Sequence, residues 1–391
     1  MPPHRVLILH PALAPYRVDM FNALARRCDL RLVFLAEQVS NQAFDQDRLR
    51  ARLVQPPGYL RRGLDLAGRT FRLGIGAEVR RFQPEVVVTS EFGQASLAVQ
   101  ASRVLGGAFA HLVGTEDNPS SVEAETRLHA LGRRMLLPRV DGILTYSEEA
   151  SALYRERFGA RQPVVASPLV QDERVLAQRL DEATGAARIQ AEAGDLLGKR
   201  LLLHVGRLAP EKRVDRLIDA VARLQATWPE LQLALVGDGP ERARLAARAA
   251  AAAPGRILFV GRREGEELAA WFRLGSVFTL ASEYEPFGAV VNEALIAGLP
   301  VVCSDRAGAR GLVARGRHGE VVDAARPEAL DRALADWLRR VPPVSAGQLE
   351  ALRPSRMETT FDAAVEAYLA ALEAARAHRL ASSRSAVSVQ A

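Results

Sequence analysis

Residues 282–301 read SEYEPFGAVVNEALIAGLPV, with Glu285 and Glu293 set around a Pro286-Phe287-Gly288 turn. Just before them, VFTLA (277–281) is apolar and β-branched, the pattern of a short buried strand. From Ala289 to Ala297 apolar residues recur at helical spacing, and Gly298-Leu299-Pro300 stops that helix. Strand, glycine turn and helix in this order offer bare backbone N–H groups and the positive end of a helix dipole, which suits a phosphate. A carboxylate before the turn and another about one turn into the helix can face the same ligand. Acids beside a phosphate repel it unless they bind something else, and sugar hydroxyls are the obvious partners. The plain alternative is a buried strand followed by a helix with surface carboxylates.

Working back toward the N-terminus, the same alternation repeats. LLLHV (201–205), LQLALV (231–236), RILFV (256–260), VFTLA, PVVCS (300–304) and GEVV (319–322) are strands separated by helices, which predicts a doubly wound parallel sheet. HVGRLAPEKR (204–213) puts Arg207 and Lys212 in the turn after the first of these strands. Ligands sit at that edge of open α/β sheets, where the two cations can hold a diphosphate. Of 52 basic residues only Lys199 and Lys212 are lysines, so a lysine in that turn is informative. VGDGPE (236–241) is a second glycine turn, and FVGRR (259–263) follows the next strand.

These residues resemble family 4 glycosyltransferases, retaining enzymes of the GT-B fold. Glu285-Pro286-Phe287-Gly288 through Glu293 is similar to the family's E-x-F-G-x(4)-E signature, and Gly206-Arg207-Leu208 through Lys212 to its G-R-L-x-x-x-K element. Gly237 and Gly239 stand in a turn like its G-x-G-P, and Val260 and Gly261 where the family reads the nucleobase through backbone groups. The resemblance implies that Glu285 binds the transferred sugar and Glu293 the nucleotide ribose. Arg207 and Lys212 hold the departing diphosphate, and Gly206, Phe287, Gly288 and Ala289 complete the donor site. It further implies two Rossmann-like domains facing across a cleft, with a C-terminal helix (about 356–378) crossing back to the first domain. The resemblance also implies a reaction that needs neither metal nor cofactor, the nucleotide sugar being a co-substrate. It implies a UDP-sugar or GDP-mannose as donor and a glycan or lipid-linked hydroxyl as acceptor. The alternatives are a GT-B nucleotide-sugar epimerase and a non-catalytic nucleotide-sugar-binding protein. Hydrolases set their two acids across the scissile bond with room for water, and Glu285 and Glu293 do not have that arrangement.

Residues 1–170 form the expected acceptor-binding domain. Its strands are RVLILH (5–10), LRLVFLA (30–36), EVVVTS (85–90), AFAHLVG (108–114), GILTYS (142–147) and PVVAS (163–167). The first loop, HPALAPYR, lacks the glycines of a dinucleotide fingerprint and departs from the family's glycine-rich loop. Tyr16 and Arg17 could touch the acceptor or simply start a helix. Where family members carry His-Asp, this chain has Gly114-Thr115-Glu116-Asp117, so Glu116 is the candidate for the cleft. His111 reads as a satisfied core histidine. Residues 171–199 read as a linker with some helix, 200–355 as the donor domain and 379–391 as a disordered tail.

Composition fits these readings. In 391 residues, 48% are hydrophobic and 25% charged, which is ordinary for a soluble globular protein. No run reaches a membrane span and no secretory signal is evident. Cys28 and Cys303 lack metal-ligand spacing, which suggests reduced thiols in cytoplasm. The net charge of +6 comes without the aromatic interleaving of a nucleic-acid groove, so no nucleic-acid partner is expected. Residues 60–82 carry six arginines against Asp65 and Glu78. That stretch reads as a solvated segment, with peripheral contact at the inner face of a membrane as its other reading.

Overall fold

The structure, a computed structural model, describes residues 4–37, 44–66 and 69–388. The chain divides into two compact units, one running to Val170 and resuming at Phe361, the other Gln171–Thr360.

The first unit holds a seven-stranded parallel sheet in the order β3-β2-β1-β6-β7-β8-β9. Its strands are β1 (Arg5–His10), β2 (Asp29–Phe34), β3 (Gly58–Tyr59), β6 (Val86–Ser90), β7 (Ala110–Gly114), β8 (Gly142–Thr145) and β9 (Val164–Ala166). A separate antiparallel hairpin, β4 (Gly63–Leu66) with β5 (Arg69–Arg72), falls in the arginine-rich segment. Residues 67–68 of that segment lie outside the described residues. The interior strands are continuous apolar runs because helices cover both faces. Leu7, Leu9, Val87 and Val99 are almost wholly buried in one such layer.

A long helix, Phe361–Ser388, packs on β7, β8 and β9. Phe361, Ala364, Val365, Tyr368, Leu372 and Ala375 bury one stripe of it. Its alanines let it approach closely, since a Cβ on Gly142 of β8 would stand 3.0 Å from that of Ala375. The helix starts later and ends later than its sequence pattern indicated. Residues 379–388, expected to be disordered, continue it, and 389–391 lie outside the described residues.

The second unit is a six-stranded parallel sheet ordered β12-β11-β10-β13-β14-β15. The strands are β10 (Arg200–Val205), β11 (Leu231–Val236), β12 (Ile257–Gly261), β13 (Val277–Leu280), β14 (Val301–Ser304) and β15 (Gly319–Val322). Residues 171–199, expected to be a linker with some helix, belong to this unit and not between units. They form the helices Glu173–Glu182 and Thr184–Ala193, which pack on the helix Gly265–Leu274. Leu176, Leu180, Ala183, Ala187 and Ala191 line their buried face. That face is built mostly from alanine, so its helical period was faint in the sequence.

Candidate functional site

In the second unit the chain leaves β10 toward β11 on one side, and β13 later pairs with β10 on the other. The loops after β10 and β13 therefore diverge, and a crevice opens where the strand order reverses. Both motifs read from the sequence lie in these two loops. Three glycine turns stack along the adjoining edge. Gly206 N–H donates to the Val236 carbonyl at 3.0 Å, Leu208 N–H to that of Asp238 at 3.0 Å, and Gly237 N–H to that of Gly261 at 2.9 Å. A Cβ on Gly237 (φ +146°) would lie 1.9 Å from the Gly206 carbonyl oxygen, and one on Gly239 2.3 Å from that of Leu208. Only glycine permits this stacking. Val260 and Gly261 end β12 beside it, with the Gly261 carbonyl already engaged by Gly237.

Lys212 closes a single 3-10 turn, Pro210–Lys212, and the next residue, Arg213, is left-handed (φ +47°). The strained residue is tied down, since its guanidinium donates to Asp215 at 3.1 Å and to Glu283 at 2.9 Å. The Glu283 N–H in turn donates to the Glu211 carbonyl at 2.8 Å. The β10 and β13 loops are thus stitched together, and the stitching carries the Lys212 ammonium onto the Glu285 carboxylate. Ser282 Oγ stands 3.5 Å from the same carboxylate. Gly288 (φ +88°) supplies the turn, and a Cβ there would be 3.0 Å from Glu285 Cγ. Arg207 pairs with Glu211 at 2.5 Å and is more exposed than Lys212.

The helix after this turn is Val290–Ile296, with Ala289 at its N-cap and Phe287 buried beneath it. Glu293 accepts a hydrogen bond from Gln171 Nε2, and the Gln171 N–H donates to Asn292 Oδ1 at 2.8 Å. Gln171 and Asn292 escaped the sequence reading. A buried asparagine beside an expected binding acid was the available hint. His204, at the end of β10, is fully buried. Its Nδ1–H donates to the Thr279 carbonyl at 3.1 Å, and burial pushes its pKa down to about 4, so it is neutral. Among the described residues no group of three or more His, Cys, Asp or Glu could hold a metal ion.

The first unit has its own reversal point, between β1 and β6. Arg17 follows β1 after the one-turn Pro15–Arg17 and is buried. Its guanidinium donates to Glu116 Oε1 at 2.6 Å and to the Tyr146 hydroxyl at 2.8 Å, while packing 5.8 Å from the Tyr16 ring centroid. Glu91, which follows β6, was not anticipated. It holds left-handed backbone (φ +62°), and its carboxylate accepts from Glu116 N–H at 2.7 Å and Thr115 Oγ1 at 3.0 Å. Burial, and then the neighbouring Asp117, push its carboxyl up to about 8. A strand-final acid was visible in the sequence, but the strand order that makes its place special was not. His111 is a satisfied core histidine, within 2.9 Å of Thr89 Oγ1 and 2.7 Å of Gln100 Nε2.

Two doubly wound α/β units of this kind define the GT-B fold. Accordingly, the chain is similar to HepE of Anabaena, solved in complex with UDP, with a TM-score of 0.68 at 16% identity over 98% of this chain and 100% of that one. The family described as "Glycosyl transferases group 1" matches residues 187–342. The chain is 43% identical over 122 residues to a GDP-mannose-dependent alpha-mannosyltransferase of Mycobacterium tuberculosis, covering 31% of this chain and 30% of that protein. It is 32% identical over 287 residues to the D-inositol 3-phosphate glycosyltransferase of Streptomyces avermitilis, covering 68% and 60% respectively. Both matches span less than two thirds of those relatives' own length. The chain has the GT-B fold, and its matches to group 1 glycosyltransferases support the resemblance to family 4.

Proposed function

We propose that this protein transfers a sugar, with retention at the anomeric carbon, from a nucleotide-diphosphate donor to a hydroxyl of a glycan or lipid-linked acceptor, without a metal. The observation that carries this reading is the joining of the two motif loops through Lys212 and Glu285 at the sheet's reversal point. A diphosphate entering there competes with Glu285 for the ammonium and gains charge-assisted hydrogen bonds. Glu285, released, accepts from the sugar's hydroxyls. Glu293, steadied by Gln171, takes the ribose, while Val260 and Gly261 meet the base. The Gly288-Ala289 turn offers N–H groups to the phosphate.

In the transfer step the acceptor oxygen bonds to the anomeric carbon on the face from which the diphosphate departs. The anomeric C–O bond breaks, and the acceptor proton passes to the departing phosphate oxygen. Lys212 and Arg207 stabilise the charge that develops on that group, the task a metal performs elsewhere. In the first unit, Arg17, Tyr16 and Glu116 are assigned to the acceptor. Glu116 is oriented by Arg17 on one side and by Glu91, through the backbone, on the other.

A cytoplasmic location with peripheral membrane contact is part of the same reading. Leu64 and Leu73 are exposed beside Arg61 and Arg62, which suits an anionic lipid surface. No described helix is long and apolar enough to cross a membrane. The test is incubation with UDP-sugars and GDP-mannose plus simple glycan and lipid-phosphate acceptors, with the product's anomeric configuration read by NMR. An inverted product overturns the retaining mechanism. Donor binding with neither hydrolysis nor transfer across the panel favours a binding protein, and interconversion of the donor sugar favours an epimerase.

A further inference from the structure

A cavity of about 260 Å³ lies within the second unit, away from the glycine turns. It is bounded by the helix Glu173–Glu182, by the C-terminal ends of the helices Gly265–Leu274 and Val290–Ile296, and by the segment 348–355. Those two helix ends precede β13 and β14, so the cavity belongs to the opposite edge of the sheet from Lys212 and Glu285. Its walls are mainly apolar, with Ala177, Leu180, Ile296 and Leu352 among them.

Two arginines also line it. Arg273 is 6% exposed, and its guanidinium donates to the carbonyls of Leu180, at 3.2 Å, and Leu349. Its Nε–H has no hydrogen-bond partner. Arg353, partly buried, donates to the carbonyls of Gly275 at 2.6 Å, Phe272 at 2.7 Å and Arg273 at 2.7 Å. Neither guanidinium has a carboxylate within ion-pair distance among the described residues. Arg174 at the rim is already paired with Asp172 at 2.9 Å, and Glu173 is the carboxylate in the lining. Backbone carbonyls fix these two guanidiniums in place but carry only partial charge. Asp181 acts on Arg273 only from beyond ion-pair distance, so two like charges stand at one cavity with no carboxylate in direct contact, and a guanidinium does not shed its proton at neutral pH. Burial and the neighbouring Arg273 push Arg353 down to about 10, which leaves it a cation under physiological conditions. Capping of helix ends accounts for the positions of these side chains. It does not account for an open cavity that keeps their charge unpaired beside a buried N–H with no acceptor.

We propose that this cavity is a binding site for a small molecule with an oxyanion head, phosphate or carboxylate, and an apolar flank. The head is held by Arg273 and Arg353, and the flank lies against Ala177, Leu180 and Ile296. The site is separate from the diphosphate site, and the proposal does not rest on the transferase reading. Ile296 is also one turn beyond Glu293 on the same short helix, so an occupant bears on the element that presents that acid.

The experiment is titration calorimetry on the full chain with phenyl phosphate, benzoate and neutral benzyl alcohol. It is run on the wild type, on Lys212→Ala and on Ala177→Trp, which takes up cavity volume while both arginines are retained. Circular dichroism checks each fold, and Ala351→Trp replaces Ala177→Trp if the latter does not fold. The expected result is binding of phenyl phosphate, benzoate or both, preserved in Lys212→Ala and weakened about tenfold or more by the tryptophan, which takes the volume the apolar flank needs. The relative affinities of phenyl phosphate and benzoate decide which head the site prefers. Binding lost in Lys212→Ala but kept in the cavity-filled variant overturns the proposal, because the anion then occupies the diphosphate site. Equal affinity for benzyl alcohol overturns it as well, and so does the absence of binding by both anions.

Discussion

The ammonium of Lys212 and the carboxylate of Glu285, 73 positions apart in the chain, form an ion pair with side chains only 15% and 12% exposed. Neither group is idle in the absence of a ligand. Each compensates the other's burial, and in the proposed function a diphosphate competes for Lys212. Removing one partner of a buried pair leaves the other charge unmatched, which typically costs more than the pair itself contributes.

Lys212→Ala is therefore expected to weaken nucleotide-diphosphate binding by about tenfold or more, on a charge-assisted contact of roughly 1.5–3 kcal/mol. The bare nucleoside should lose little. Calorimetry with UDP, GDP and the corresponding nucleosides checks this, and equal losses for both classes defeat the assignment.

The two acids should separate kinetically. Glu285 is assigned to the transferred sugar, where contacts can strengthen in the transition state, so Glu285→Gln should lower kcat with modest change in donor KM. Glu293, held by Gln171, is assigned a uniform contact to the ribose, so Glu293→Gln should mainly raise donor KM and weaken the free nucleotide. The opposite pattern, measured with one donor at saturating acceptor, reverses the division of labour.

Turnover should persist in EDTA, since Lys212 and Arg207 are assigned the charge stabilisation. Activity lost in the chelator and restored by Mg²⁺ or Mn²⁺ rules out that assignment.

Glu91 gives the pH prediction. Its folded pKa is raised from the ordinary 4.5 to about 8, so between those values the folded protein keeps a proton that the unfolded chain releases. Its contribution to stability is complete at low pH and declines as pH rises through this window. Denaturant midpoints measured across the window should fall less steeply with pH in Glu91→Gln than in the wild type. Parallel profiles refute the assignment of that slope to Glu91.

Gly237→Ala should lower the melting temperature measurably. The substitution puts a Cβ 1.9 Å from the Gly206 carbonyl at φ +146°, and a residue forced into such backbone costs on the order of 1–3 kcal/mol. An unchanged melting curve contradicts the stacked-turn geometry.

The sequence alone determined the alternation of strands and helices, the glycine turns and the presence of two basic and two acidic motif residues. These are local properties, set by residue type and spacing within a few positions. The packing of the 173–193 helices into the domain was not legible, because alanine buries well but gives little periodic contrast. Strand order is a long-range matter, and only the tertiary structure decided it. That order puts the β10 and β13 loops side by side, brings Lys212 onto Glu285, and sets Glu91 beside Thr115 and Glu116. Gln171 on Glu293 and the unpaired charges of Arg273 and Arg353 arise in the same way. Each joins groups tens to more than a hundred residues apart, and no local pattern encodes a contact at that separation.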